Sequence, residues 1–159
     1  MARLMNRRRT ISTLVVTALT ATVFPISAAA QAPGVRGGVS VDPDQVYLGG
    51  HFETGPLVER LHFKPNLEAG FGDDITLIAL NFEFVYKFPV NSPWTLYVGG
   101  GPAANIYSFD RGRDDDDTEI EPGFNVLFGA ETSRGLFFEI KLGAIDSPDF
   151  KFGVGWTFR

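Results

Sequence analysis

Between residues 76 and 88 the chain alternates without a break: Ile78, Leu80, Phe82, Phe84, Tyr86 and Phe88 fall on one side, and Ala79, Asn81, Glu83, Val85 and Lys87 on the other. A period of two held over such a stretch excludes a helix, whose side chains return to one face about every 3.6 residues, and dictates a strand with one greasy and one mixed face. The alternation recurs at 35–42, 45–53, 61–71, 94–108, 119–131, 135–145 and 150–158, bounded by clusters of Gly, Pro, Asp and Asn. With 76–88 this predicts eight strands, and beyond residue 30 no helical periodicity competes with it.

Alternation alone does not say which face turns outward. A soluble lipocalin-like barrel shows the same period with its apolar face inside, and would point Phe82 and Phe128 inward. Side-chain volume decides the matter. An eight-stranded barrel has an interior just wide enough for side chains to fill, so it cannot take a face that carries most of fifteen phenylalanines. On the mixed face lie Gly38, Gly49, Gly70, Gly99, Gly101, Gly123, Gly129, Gly143, Gly153 and Gly155. Glycine weakens a strand that faces water, but beside long charged residues in a narrow lumen it makes room. The greasy face is therefore expected outside and the mixed face inside.

The expected lumen set is polar and balanced. Arg36, Lys64, Lys141 and Lys151 are positive; Glu53, Glu68, Glu83, Glu121 and Glu139 are negative; His51, His62, Asn66, Asn81 and Asn125 add hydrogen-bonding capacity. A sealed charge costs several kcal/mol unless paired, which predicts ion pairs across the lumen. A conductive channel is the weaker alternative, because eight strands normally leave a filled interior.

Residues 1–30 read as a cleavable secretory signal peptide: Arg3, Arg7, Arg8 and Arg9, an apolar stretch from Ile11 to Ile26, and an Ala28-Ala29-Ala30 cleavage site before Gln31. The apolar run is shorter than the roughly 20 residues of a spanning helix. Residues 31–159 form the second segment and a single domain. Removing four arginines from 14 basic residues leaves 10 against 19 acidic ones, a formal charge of −9. That sign argues against nucleic acid as a partner. With no cysteine, an exported chain must rely on packing and backbone pairing.

An even strand count puts both barrel ends on one side, taken as the periplasm. Outer connections are then 42–44, 72–75, the long 109–118 and 146–148; inner ones are 54–60, 89–93 and 132–134. Phe88 and Trp94 fall at the inner boundary, and Tyr107, Phe109 and Phe150 at the outer, as two aromatic girdles.

The stretch "KFGVGWTF" resembles the C-terminal assembly signal of bacterial outer-membrane β-barrels, with Lys151, Gly153, Trp156 and Phe158 in the polar, glycine and two aromatic places. It departs from the usual ending in that Arg159 follows the final aromatic. With the signal peptide and strand count, the chain resembles the small OmpA/OmpX-type, porin-like outer-membrane barrels. The resemblance implies insertion into the outer membrane by the barrel-assembly machinery, with membrane lipid and lipopolysaccharide as surroundings. Its members serve adhesion, envelope integrity, small-molecule passage and lipid enzymology, so it does not settle a role.

Other motifs have plainer readings. Asp114 to Asp117, in "FDRGRDDDDTE", could gather a hard cation, but four consecutive aspartates lack the spacing of a calcium loop and read as a solvated charge run. Arg111 and Arg113 beside them could meet lipopolysaccharide phosphates. His51 and His62, on neighbouring strands and both facing in, could approach each other, yet no third metal ligand stands at a diagnostic spacing. Ser40 and Ser108 sit in no nucleophile motif. "VGGGPAANIY" has glycines but no lysine of a phosphate loop; Gly99 and Gly101 would let large lumen residues pass and Pro102 would mark a bend or bulge. The sequence thus predicts an all-β, eight-stranded, antiparallel up-and-down transmembrane barrel. It would be a monomer in the bacterial outer membrane, with a structural or surface-interacting role and neither enzymatic activity nor cofactor.

Overall fold

The structure, a computed structural model, describes residues 31–73, 75–88, 90, 92–109 and 117–159. The expected signal peptide and the loop residues Arg111, Arg113 and Asp114 to Asp116 lie outside the described residues. Eight strands follow one another: β1 (Ala32–Val41), β2 (Gln45–Glu53), β3 (Leu61–Phe71), β4 (Ile75–Phe88), β5 (Trp94–Phe109), β6 (Asp117–Thr132), β7 (Leu136–Ile145) and β8 (Phe150–Thr157). Each pairs antiparallel with the next, and β8 returns to β1 through pairs such as Val39↔Phe152 and Val35↔Trp156, closing the barrel. Closure leaves no open sheet edge.

The pleat sorts the side chains as the alternation requires. Phe52, Phe71, Phe82, Phe84, Phe124, Phe128, Phe138 and Phe152 stand on the outer surface, Phe82 40% and Phe128 48% exposed, while Lys64, Glu68, Glu83 and Lys141 inside are 2% exposed or less. A soluble barrel with its rings inside is thereby excluded. Of the described phenylalanines, Phe137 is the one buried in the lumen.

Two local expectations are corrected. Pro102 marks no bulge, since β5 and β6 run in unbroken register through Pro102↔Phe124, but beside it the β4–β5 rungs lapse between Asn81↔Ala103 and Phe84↔Gly100. The register shift falls between Phe124 and Asn125 where β6 meets β7. A proline whose ring faces outward is tolerated wherever its rung needs no N–H from it, so its presence alone does not fix a bulge. Gly135 does not open β7 but closes the β6–β7 turn, its N–H donating to Thr132 O at 3.0 Å. Its φ of +100° and the approach of Thr157 O, 1.9 Å from where a Cβ would stand, leave no alternative to glycine.

Candidate functional site: a filled, charged lumen

Rings laid over glycines build the lumen wall. Tyr97 pairs across β5–β6 with Gly129, Phe137 across β7–β8 with Gly155, and His51 across β1–β2 with Gly34. A Cβ on Gly129 would lie 2.1 Å from the Tyr97 ring, on Gly155 2.4 Å from Phe137, on Gly34 2.2 Å from His51, and on Gly153 2.3 Å from the Tyr47 hydroxyl. The bare positions are thus the floors on which the large lumen side chains lie. Gly99 and Gly101 differ from expectation: what crowds them first is β4 backbone, the carbonyls of Phe84 and Phe82 at 2.2 and 2.0 Å from a Cβ.

Those rings seat cations. Lys64 Nζ lies 4.1 Å from the Phe137 ring centre and 4.9 Å from that of Tyr97; Arg36 lies 5.4 Å from Phe137, and Lys151 5.2 Å from Tyr47. In a water-poor interior the ring faces offset part of the lost hydration of these cations.

Around them runs the central ionic network. Glu68, from β3, accepts from Arg36 at 3.0 Å, from Lys141 at 2.8 Å and from Lys151 at 2.9 Å. Lys141 and Lys151 stand directly opposite each other on β7 and β8, a like-charge pair that would repel; the two oxygens of Glu68 hold one lysine each. Lys141 also meets Glu83 at 2.7 Å, and Arg36 meets Glu139 at 3.2 Å. Glu139 is within 3.7 Å of Lys64 and takes the Tyr97 hydroxyl at 2.9 Å. Amides extend the chain: Asn125 donates to Asn81 and Asn81 to Asn66, both at 2.8 Å, and Asn66 to Glu83 at 2.7 Å. Every one of these residues is buried.

Each end is closed differently. At the outer end the 146–149 turn folds inward, with Pro148 buried and Asn105 donating to Asp146 O at 2.7 Å and Ser147 Oγ at 3.2 Å. At the inner end Lys87 bonds both Glu53 and Glu131, and Arg159 reaches Glu131 at 2.8 Å and Glu53 at 3.3 Å. Burial alone would lower the Arg159 pKa, but its hydrogen bond to Glu131 and the charges of Glu131 and Glu53 outweigh this and raise it.

Of the fourteen residues expected in the lumen set, Arg36, His51, Glu53, Lys64, Asn66, Glu68, Asn81, Glu83, Asn125, Glu139, Lys141 and Lys151 are buried inside, and His62 is half-buried. Glu121 is not part of it. Paired with Asn105 in register, it lies above the plug, lining an acidic outer recess of about 380 Å³ with Asp42, Tyr107, Glu119, Asp146 and Asp149. No ion pair joins it to the other described residues. Its parity is inward, but β5 and β6 run past the filled part of the barrel. The two histidines go to separate partners: His51 Nε2 is 3.0 Å from Thr157 Oγ1, whereas His62 Nδ1 donates to Thr54 O at 2.8 Å. Among the described residues no three His, Asp or Glu side chains are arranged to hold a metal. Ser40 is engaged with Pro43 O at 2.9 Å.

Sequence reasoning passed over Tyr47, Tyr97 and Phe137 as cation seats, Lys87, Glu131 and Arg159 as the inner ring, and Asn105 as the outer clamp. Lys87 and Asn105 share inward parity with Glu83 and Ala103, so the pattern held that signal. Arg159 lies past the last strand, where parity gives none.

No protein-family model and no curated protein matches this chain. Among solved structures it is similar to Neisserial surface protein A (NspA), at 17% identity and a TM-score of 0.57, over 81% of this chain and 96% of that one. At this identity the likeness is one of fold: a closed, eight-stranded antiparallel barrel.

Proposed function

We propose that the chain is a small outer-membrane β-barrel protein of a bacterial envelope, a monomer whose rigid, filled barrel presents short acidic outer turns in a structural or surface-contact role. The observation that carries this reading is the inversion of the barrel: phenylalanines outside, ion pairs inside. Hydrocarbon is the solvent that suits such an exterior, and a closed barrel is the one all-strand structure whose backbone is satisfied there. The fold shared with a protein named as a Neisserial surface protein supports an envelope location. Exposed Trp156 and Phe158, with inward Lys151 and Gly153, suit reading of β8 by the barrel-assembly machinery. Exposed Phe150 suits contact with lipopolysaccharide, whereas Tyr107 and Phe109, expected in the same outer girdle, share the inward parity of Asn105 and line the acidic recess instead.

The continuous ionic network counts against a solute pore. Cell fractionation with gel mobility before and after boiling tests the reading. The outer-membrane fraction and a heat-modifiable band are expected; a protein in the soluble periplasmic fraction with unchanged mobility overturns it.

A further inference from the structure

We propose that Arg159 is a latch that fastens the β1–β8 seam from across the lumen. β8 is hydrogen-bonded to β1 and β7, yet the partners of Arg159 are Glu53 on β2 and Glu131 on β6, each one strand further round. A side chain hung on β8 reaches both only when β8 lies against both of its neighbours, so the contact is specific to the closed barrel. The residues just before it are pinned on the two sides of the seam: Phe158 N donates to Pro33 O at 2.8 Å, and Thr157 N to Gly135 O at 2.9 Å.

Charge gives the latch its selectivity. Without Arg159, Glu53 and Glu131 share Lys87, leaving two carboxylates on one ammonium in a partly buried mouth; with it the group is two against two. His62 does not take its place, because its Nδ1 is committed to Thr54 O and stands 3.7 Å from Glu53. The guanidinium fork suits a bridge between two carboxylates better than a second lysine would. The residue that follows the terminal aromatic, a departure from the assembly-signal pattern, thereby gains a use after insertion. Lys151 to Glu68, Arg36 to Glu139 and His51 to Thr157 also bridge the seam between strands that are not neighbours, but they lie buried within the lumen, whereas Arg159 ties the seam at its inner mouth.

Amide hydrogen exchange on the refolded full chain in detergent micelles tests this, whatever membrane the protein occupies. Arg159→Gln is expected to speed exchange of β1 and β8 amides about five- to tenfold and to leave β4–β5 amides unchanged. Glu131→Gln should reproduce the pattern, and the double variant should exchange no faster than either single one. Arg159→Lys, which keeps the charge and loses the fork, should fall between wild type and Arg159→Gln and serves if the glutamine variant does not refold. Unchanged seam exchange, an equal rise in β4–β5, or additive single variants would overturn the proposal.

Discussion

The centre and the inner end of the lumen use the same ions in different surroundings. At the centre Glu68 holds Arg36, Lys141 and Lys151 with side chains 5% exposed or less. At the inner end Arg159, 31% exposed, and Lys87, 12% exposed, hold Glu53 and Glu131. A central charge that loses its partner has no water to turn to, whereas one at the mouth does. The centre is therefore a point of obligate satisfaction, and the mouth a graded fastening that salt can reach.

The sharpest way to break this contrast is Glu68→Ala. It leaves buried Lys151 without its carboxylate and takes one partner each from Arg36 and Lys141, and a loss of about 3–5 kcal/mol is expected in urea unfolding of the refolded barrel, enough to abolish the heat-modifiable form if the barrel is marginal. Next comes Gly129→Val, which sets a branched side chain where the Tyr97 ring lies and displaces the seat of Lys64; about 1–3 kcal/mol should be lost in the same assay. The smallest effect is at the mouth. Glu131→Gln should cost about 1 kcal/mol at 0.1 M salt and less at 1 M, where screening shortens to roughly 3 Å. The stability lost by Glu68→Ala should change little with salt, and equal salt sensitivity at both sites would erase the distinction.

Much of this was written in the alternation. Period two gave eight strands, and a volume argument about phenylalanine turned the greasy face outward; the barrel follows from those two steps. Parity also put Arg36, Lys64, Glu68, Glu83, Glu139 and Lys141 inside. Who pairs with whom was beyond it, because the partners of Glu68 sit on β1, β7 and β8, and the stagger of the closed barrel sets their heights. The same stagger lifts Glu121 out of the network although its parity matches. Arg159 was legible only as a departure from a motif, since its role depends on closure across the lumen. Pro102 misled because a proline reports a missing donor, not the position of a register shift.

Whether hydrocarbon touches the phenylalanine face can be measured directly. The chain has no cysteine, so single cysteines at Phe82 and Phe128 can each carry a nitroxide in liposome-reconstituted protein, with relaxation read against oxygen and against a chelated nickel ion. Both sites are expected to be open to oxygen and closed to nickel, as groups in the acyl layer are. Ready relaxation by nickel at both would place that face in water and contradict the membrane-spanning barrel.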